Sequence, residues 1–245
     1  MTNKYIYFIA NWKMFGGLNS LNSVYKVIKF FKTFKKNKST KIIYCPPNTL
    51  IRPMSKKLKN SRIEVGAQNC HENEKYGAFT GSVKSIMLKS VGAKYIILGH
   101  SENRSVGENN KLINLKIKSA LKSGLKVIFC IGETLQEKRK KITKKVLNKQ
   151  IQSGLFKIKN KKNIIIAYEP VWSIGTGLIP KNKDLFNTIN FIKKKIRNSK
   201  VLYGGSVNPK NIKELKSINN IDGFLIGGAS QDSKKFIDII KKTYN

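Results

Sequence analysis

Glu169 is the first charged group after the apolar run Ile164-Ile-Ile-Ala-Tyr168, and it is followed by Pro170, Gly175 and Gly177. A short run of this kind reads as a buried parallel strand, so the carboxylate stands at the strand's C-terminal end. Pro170 fixes its own φ and restricts the residue before it, whereas the two glycines permit backbone conformations that other residues resist. That combination suits a lid with a rigid entry. Alone, Glu169 is an ordinary loop acid, and its meaning depends on partners. His100 follows the run Tyr95 to Leu98 and precedes Ser101-Glu102, which can open a helix. A helix N-terminus and the Lys13 ammonium both disfavour a charged imidazole, leaving a neutral ring able to donate a hydrogen bond to a substrate oxygen. Lys13, after Asn11 and Trp12, offers a fixed cation to a developing negative charge. Gly204-Gly205 with Ser206, and Gly227-Gly228, end two further apolar runs and offer bare N–H groups to an anion. A base, a neutral donor, a cation and a phosphate cradle describe proton abstraction α to a carbonyl of a small phosphate ester, with return to the adjacent carbon. No metal-ligand spacing or nucleophile–base pair competes, so neither metal nor cofactor is expected. The other histidine, His71, sits in the polar stretch His71-Glu-Asn-Glu-Lys75 and reads as a solvated loop residue.

For these residues to meet, several strands must end at one place. Short β-branched or aromatic runs occur at Tyr5 to Ile9, Ile42 to Cys45, Ile63 to Val65, Tyr95 to Leu98, Val127 to Ile131, Ile164 to Tyr168, Val201 to Tyr203 and Phe224 to Ile226. Between them lie mostly helix-period segments. Val24, Val27, Ile28 and Phe31 share one helical face, and Leu185, Ile189, Ile192 and Ile196 share another. Repeated βα units imply a parallel sheet. Eight in 245 residues fit an α/β fold of one kind, a closed (β/α)₈ barrel forming a single domain over residues 1–245. An open doubly wound sheet more often carries a Gly-x-Gly-x-x-Gly fingerprint after its first strand, and none follows Ile9. Barrel enzymes take their active-site groups from just beyond several strands, where Asn11, Lys13, His100, Glu169, Ser206, Gly227 and Gly228 stand.

The N-terminal stretch lacks the charged, apolar and small-residue succession of a secretory leader, and no apolar run approaches the roughly 18 residues of a membrane span. Cys45, Cys70 and Cys130 are odd in number and without Cys-x-x-Cys spacing, arguing against a disulfide framework or zinc knuckle. A cytoplasmic protein is expected. Forty-nine Lys and Arg against 13 Asp and Glu give a net charge of +36, which raises polyanion binding as an alternative function on a catalytically idle barrel. The lysines are spread over almost every expected helix rather than gathered into an arm with interleaved aromatics. Nucleic-acid binding is therefore expected to be at most weak and salt-sensitive, and the same field attracts a small anionic substrate.

The strings NWK, GAQNC, GAFTG, ILGHSE, CIGET, AYEPVW, IGTG, YGGSV and IGGAS, running in this order from Asn11 to Ser230, resemble the triosephosphate isomerase family. The resemblance implies a cofactor-independent conversion of dihydroxyacetone phosphate to D-glyceraldehyde 3-phosphate and back. It makes Glu169 the proton-shuttling base, His100 the neutral electrophile and Lys13, beside Asn11, the group stabilising the enediolate. Backbone groups at Gly175, Ser206, Gly227 and Gly228 hold the phosphate, and Pro170 to Gly177 form most of the closing lid. Gly66 to Ser82 resembles the family's protruding dimer loop, whose threonine, here Thr80, reaches the partner's site, so a homodimer is implied. The chain departs from the family's commoner form at Asn103 (Arg), Ser82 (Glu) and Leu178-Ile-Pro180 (Lys-Thr-Ala), and between Arg104 and Gly107 it runs one residue short.

Overall fold

A computed structural model describes residues 5–245, so the first four residues of the expected domain lie outside the described ones. The strands are β1 (Ile6–Asn11), β2 (Thr40–Cys45), β3 (Glu64–Ala67), β4 (Tyr95–Leu98), β5 (Lys126–Ile131), β6 (Ile164–Tyr168), β7 (Lys200–Tyr203) and β8 (Gly223–Ile226). All pair in parallel, and β1 also pairs with β8, closing the barrel. The helices are α1 (Leu21–Thr33), α2 (Asn48–Leu58), α3 (Ser85–Ser90), α4 (Ser101–Ser105), α5 (Asn110–Lys122), α6 (Leu135–Arg139), α7 (Thr143–Gly154), α8 (Asn182–Lys195), α9 (Ile212–Ser217) and α10 (Ser233–Tyr244). The eight expected runs are the eight strands. Their ends differ where side-chain hydrophobicity is a poor guide: β1 continues through Asn11, and β3 starts a residue late but runs on through Gly66 and Ala67.

Side chains alternate across each strand, and here both faces are buried. Ile9, Ile43, Tyr95, Ile97, Ile128, Cys130, Ile165, Ala167, Leu202 and Leu225 fill the barrel interior. Their neighbours Phe8, Ile42, Ile96, Phe129, Ile166, Val201 and Phe224 face outward, where the apolar stripes of the helices cover them. Val24, Val27 and Phe31 of α1 are buried there with Ile28 partly so, and Leu185, Ile189 and Ile192 of α8 are fully buried, with Ile196 just past its end. Each such side chain contributes about 1.5–3 kcal/mol on removal from water. That continuous coat fixes the register of the strand ends.

Carried past the last strand residue, the same alternation aims chemistry into the mouth. The inward series runs Ile9, Asn11, Lys13 on β1; Ile165, Ala167, Glu169 on β6; Leu202, Gly204 on β7; and Leu225, Gly227 on β8. On β4 it would bring in position 99, but Gly99 takes φ +74, so the chain turns and His100 is the side chain delivered.

Candidate active site

Asn11, Lys13, His100, Glu169, Gly175, Ser206, Gly227 and Gly228 all line one cavity of about 230 Å³ at the C-terminal end of the barrel. A larger cavity of about 410 Å³ opens beside the start of β3, around Glu64, and contains none of these groups. Size therefore does not identify the chemistry; the convergence of charged and polar groups does.

Glu169 is 3% exposed, its Oε1 lies 3.4 Å from His100 Nε2, and its Oε2 has no hydrogen-bond partner. Burial pushes the carboxyl above the usual carboxylate range, opposed by His100, by the Cys130 thiol that faces it and by Lys13. Cys130 is itself raised by burial and by the Glu169 charge, so its proton stays on sulfur. Two glycines make room for the acid. A Cβ at Gly204 would stand 2.7 Å from Glu169 Cγ, and one at Gly132 would stand 1.8 Å from its carbonyl oxygen. The Gly204-Gly205 pair, expected to cradle an anion, thus serves first as space for side chains, whereas nothing lies within 4 Å of a Cβ at Gly228.

His100 caps α4: its Nδ1 accepts the Glu102 N–H at 3.2 Å, which leaves the proton of the neutral ring on Nε2, aimed at the cavity. Arg104 braces the ends of β4 and β5 through Gly99 O at 2.7 Å and Cys130 O at 3.2 Å. Lys13 adopts φ +54, a strained backbone for a lysine, and its carbonyl accepts Gln68 Nε2 at 2.9 Å. Its ammonium meets Glu102 at 2.6 Å, while its aliphatic chain lies 3.5 Å from where a Cβ of Gly227 would be. The loop after β1 is fastened to the other end of the chain by Trp12 Nε1 to Ser230 O at 3.2 Å and Gln231 Nε2 to Trp12 O at 3.1 Å.

The lid entry is a short turn, Val171–Ser173. Trp172 Nε1 donates to Glu133 at 2.9 Å, Tyr168 O–H reaches the same carboxylate at 3.2 Å, and the Lys138 ammonium sits over the Trp172 ring. Gly175 and Gly177 take φ +72 and +80. Glu102 and Glu133 stand just beyond strands in the sequence but, like Gln68 and Ser173, carry no site role there. Their signal is one of parity and neighbouring strands, visible only once the barrel is built. His71 differs from expectation: its side chain is only 20% exposed, packs 4.5 Å from the Phe79 ring and accepts the Asn73 N–H, because the segment Gly66 to Ser82 folds on itself.

The family model described as triosephosphate isomerase matches residues 6–243. The chain is 43% identical over 244 residues to a triosephosphate isomerase of Dictyoglomus thermophilum, covering 95% of this chain and 97% of that one. It is 45% identical over 215 residues to one of Carboxydothermus hydrogenoformans, covering 82% and 84%. A crystal structure of triosephosphate isomerase from Bartonella henselae superposes with a TM-score of 0.89 at 34% identity, covering 98% and 99%. Fold and relatives agree along almost the whole length, and the chain belongs to the triosephosphate isomerase family.

Proposed function

We propose that this chain interconverts dihydroxyacetone phosphate and D-glyceraldehyde 3-phosphate, reversibly and without cofactor, with Glu169 as the base. The observation that carries the reading is a buried carboxylate with one unpartnered oxygen, 3.4 Å from an imidazole whose Nε2–H faces the same cavity. Glu169 takes a proton from the carbon next to the carbonyl while His100 hydrogen-bonds the carbonyl oxygen. Lys13, beside Asn11, balances the negative charge of the enediolate; the hydroxyl proton passes from one oxygen to the other by way of the His100 imidazole, and Glu169 returns its proton to the adjacent carbon. Backbone N–H groups at Gly175, Ser206, Gly227 and Gly228 hold the phosphate, and the lid from Pro170 to Gly177 closes over the site. Closure keeps water from the intermediate and strengthens each electrostatic contact inside. A coupled assay with glyceraldehyde 3-phosphate tests the reading. Glu169→Gln is expected to lower the rate by at least about 10² to 10⁴ while leaving phosphate-ligand binding largely intact. Full activity in that variant sinks the assignment.

The working form is a homodimer. Met14 is fully exposed, Tyr76 and Phe79 are exposed on the Gly66 to Ser82 segment, and Phe15 adds to the same apolar character. A second cavity of about 320 Å³ beside the first, walled by Met14, Gln68, Asn103 and Glu102, offers a seat for the Thr80 tip of a partner. Three buried free cysteines support a cytoplasmic location, and no described helix is long and apolar enough to cross a membrane. The +36 charge supports at most weak, salt-sensitive nucleic-acid binding, which a gel shift at moderate salt reads directly.

A further inference from the structure

Ser173 lies in the entry turn of the lid and is fully buried. Its hydroxyl touches three groups: Leu178 O at 2.5 Å, Tyr203 Oη at 2.9 Å and the Ser206 N–H at 3.3 Å. A serine hydroxyl has one proton and two lone pairs. The Leu178 carbonyl can only accept, so it takes the proton; Tyr203 must then donate, and Ser206 donates by necessity. Every bonding position of Ser173 Oγ is used. The surroundings are cut to fit, since a Cβ at Gly205 would come within 2.6 Å of this oxygen and 2.3 Å of Tyr203 Oη. The hub joins the lid entry, the far hinge at Leu178 and the loop after β7. The bonds of Thr176 to Trp172 O, Ser173 O and the Leu178 N–H lie wholly within the lid segment and travel with it. Those of Ser173 to Tyr203 and Ser206 cross from lid to barrel.

We propose that the Ser173 hydroxyl is a positioning group for phosphate recognition, occupying the Ser206 N–H as a phosphate oxygen does and yielding it when the phosphate arrives. This rests on the reading of Ser206 as part of the phosphate cradle. One N–H points at one acceptor. The bond it makes to Ser173 is long, and a charged oxygen forms a bond roughly twice as strong as a neutral hydroxyl does. Displacement therefore favours the phosphate. It also strips Ser173 of one tie to the barrel, which loosens the entry turn and, through Leu178, the far hinge. Phosphate binding and lid movement are coupled through a single oxygen.

The coupling sets the direction of a test. Ser173→Ala removes the lid's ties to Tyr203 and Ser206 and with them the competitor for the Ser206 N–H, so a phosphate ligand binds the variant more tightly. Loss of one or two neutral hydrogen bonds corresponds to about three- to tenfold. Calorimetric titration of the full chain with glycerol 3-phosphate is expected to show that gain, with KM falling by a similar factor and kcat falling as release slows. Unchanged or weaker binding by Ser173→Ala overturns the proposal, because mere loosening of the fold weakens ligand binding. Tyr203→Phe removes one anchor and leaves the competition at Ser206 in place, so its affinity gain is expected to be smaller. An equal gain assigns the effect to general lid mobility and overturns the proposal too. Independently of any variant, the Ser206 amide proton in the unaltered protein is expected to shift downfield in NMR on adding glycerol 3-phosphate. A stationary signal with ligand bound refutes the exchange of acceptors. Failure of the unaltered protein to bind glycerol 3-phosphate at all strikes instead at the cradle reading beneath it.

Discussion

Glu169 is held in a state that costs the fold something. Its carboxyl is raised above the ordinary value of 4.5 chiefly by burial. Between that value and the raised one, the folded chain keeps a proton that the unfolded chain has lost, so stability falls as pH rises through this window. Glu169→Gln is therefore expected to melt at a higher temperature than the unaltered chain at pH 7, with the gap closing toward pH 4. Thermal melts of both proteins across that range check it, and a gap that widens on acidification has the wrong sign. The same shift moves the acid limb of kcat/KM above the usual carboxylate range, because only the ionised form is a base. At this scale the sequence was legible where a group follows a strand end directly, as Lys13, His100 and Glu169 do. It offered Glu102 only as a helix opener, because that acid meets Lys13 only where β1 and β4 open into one mouth.

The strands explain why some glycines matter more than their number suggests. Gly204 occupies the inward position of β7 next to β6, and a methyl there would stand 2.7 Å from Glu169 Cγ. Gly204→Ala is expected to push the base aside and lower kcat by about 10²-fold, since roughly 1 Å of misplacement carries that penalty. KM should change far less, and steady-state kinetics separate the two; an unaltered kcat shows that the base has room elsewhere. The eight runs and the helical faces were readable because both barrel faces are dry, so every strand is marked by hydrophobicity. The use of Gly204-Gly205 was not readable, because a glycine that frees an N–H and one that makes space for a neighbour look alike in sequence. The far hinge at Leu178-Ile-Pro180 was likewise opaque: its carbonyl is held by Ser173, a contact that crosses the lid.

For the molecule as a whole, the +36 charge is the dominant long-range feature. It draws a phosphate ester inward and sets one copy of the chain against another. Raising salt to about 0.15 M shortens the screening length to about 8 Å, so kcat/KM is expected to fall while the dimer fraction in sedimentation rises. Insensitivity of both measurements refutes the electrostatic argument. Glu108 pairs with Lys116 beside Asn69 and leaves Oε2 buried and unpartnered, and its backbone N–H bonds the carbonyl of Asn103, where the family's commoner form has arginine.

The loop that carries Lys13 is tied to Ser230 and Gln231, and β1 completes its ladder only against β8. Lys13, the first of the proposed catalytic groups in chain order, is therefore expected to be among the last set in place. Contacts this distant in sequence form slowly. On refolding from denaturant, isomerase activity is accordingly expected to return after the far-ultraviolet circular dichroism signal has recovered. In this protein, turnover reports that the two ends of the polypeptide have met.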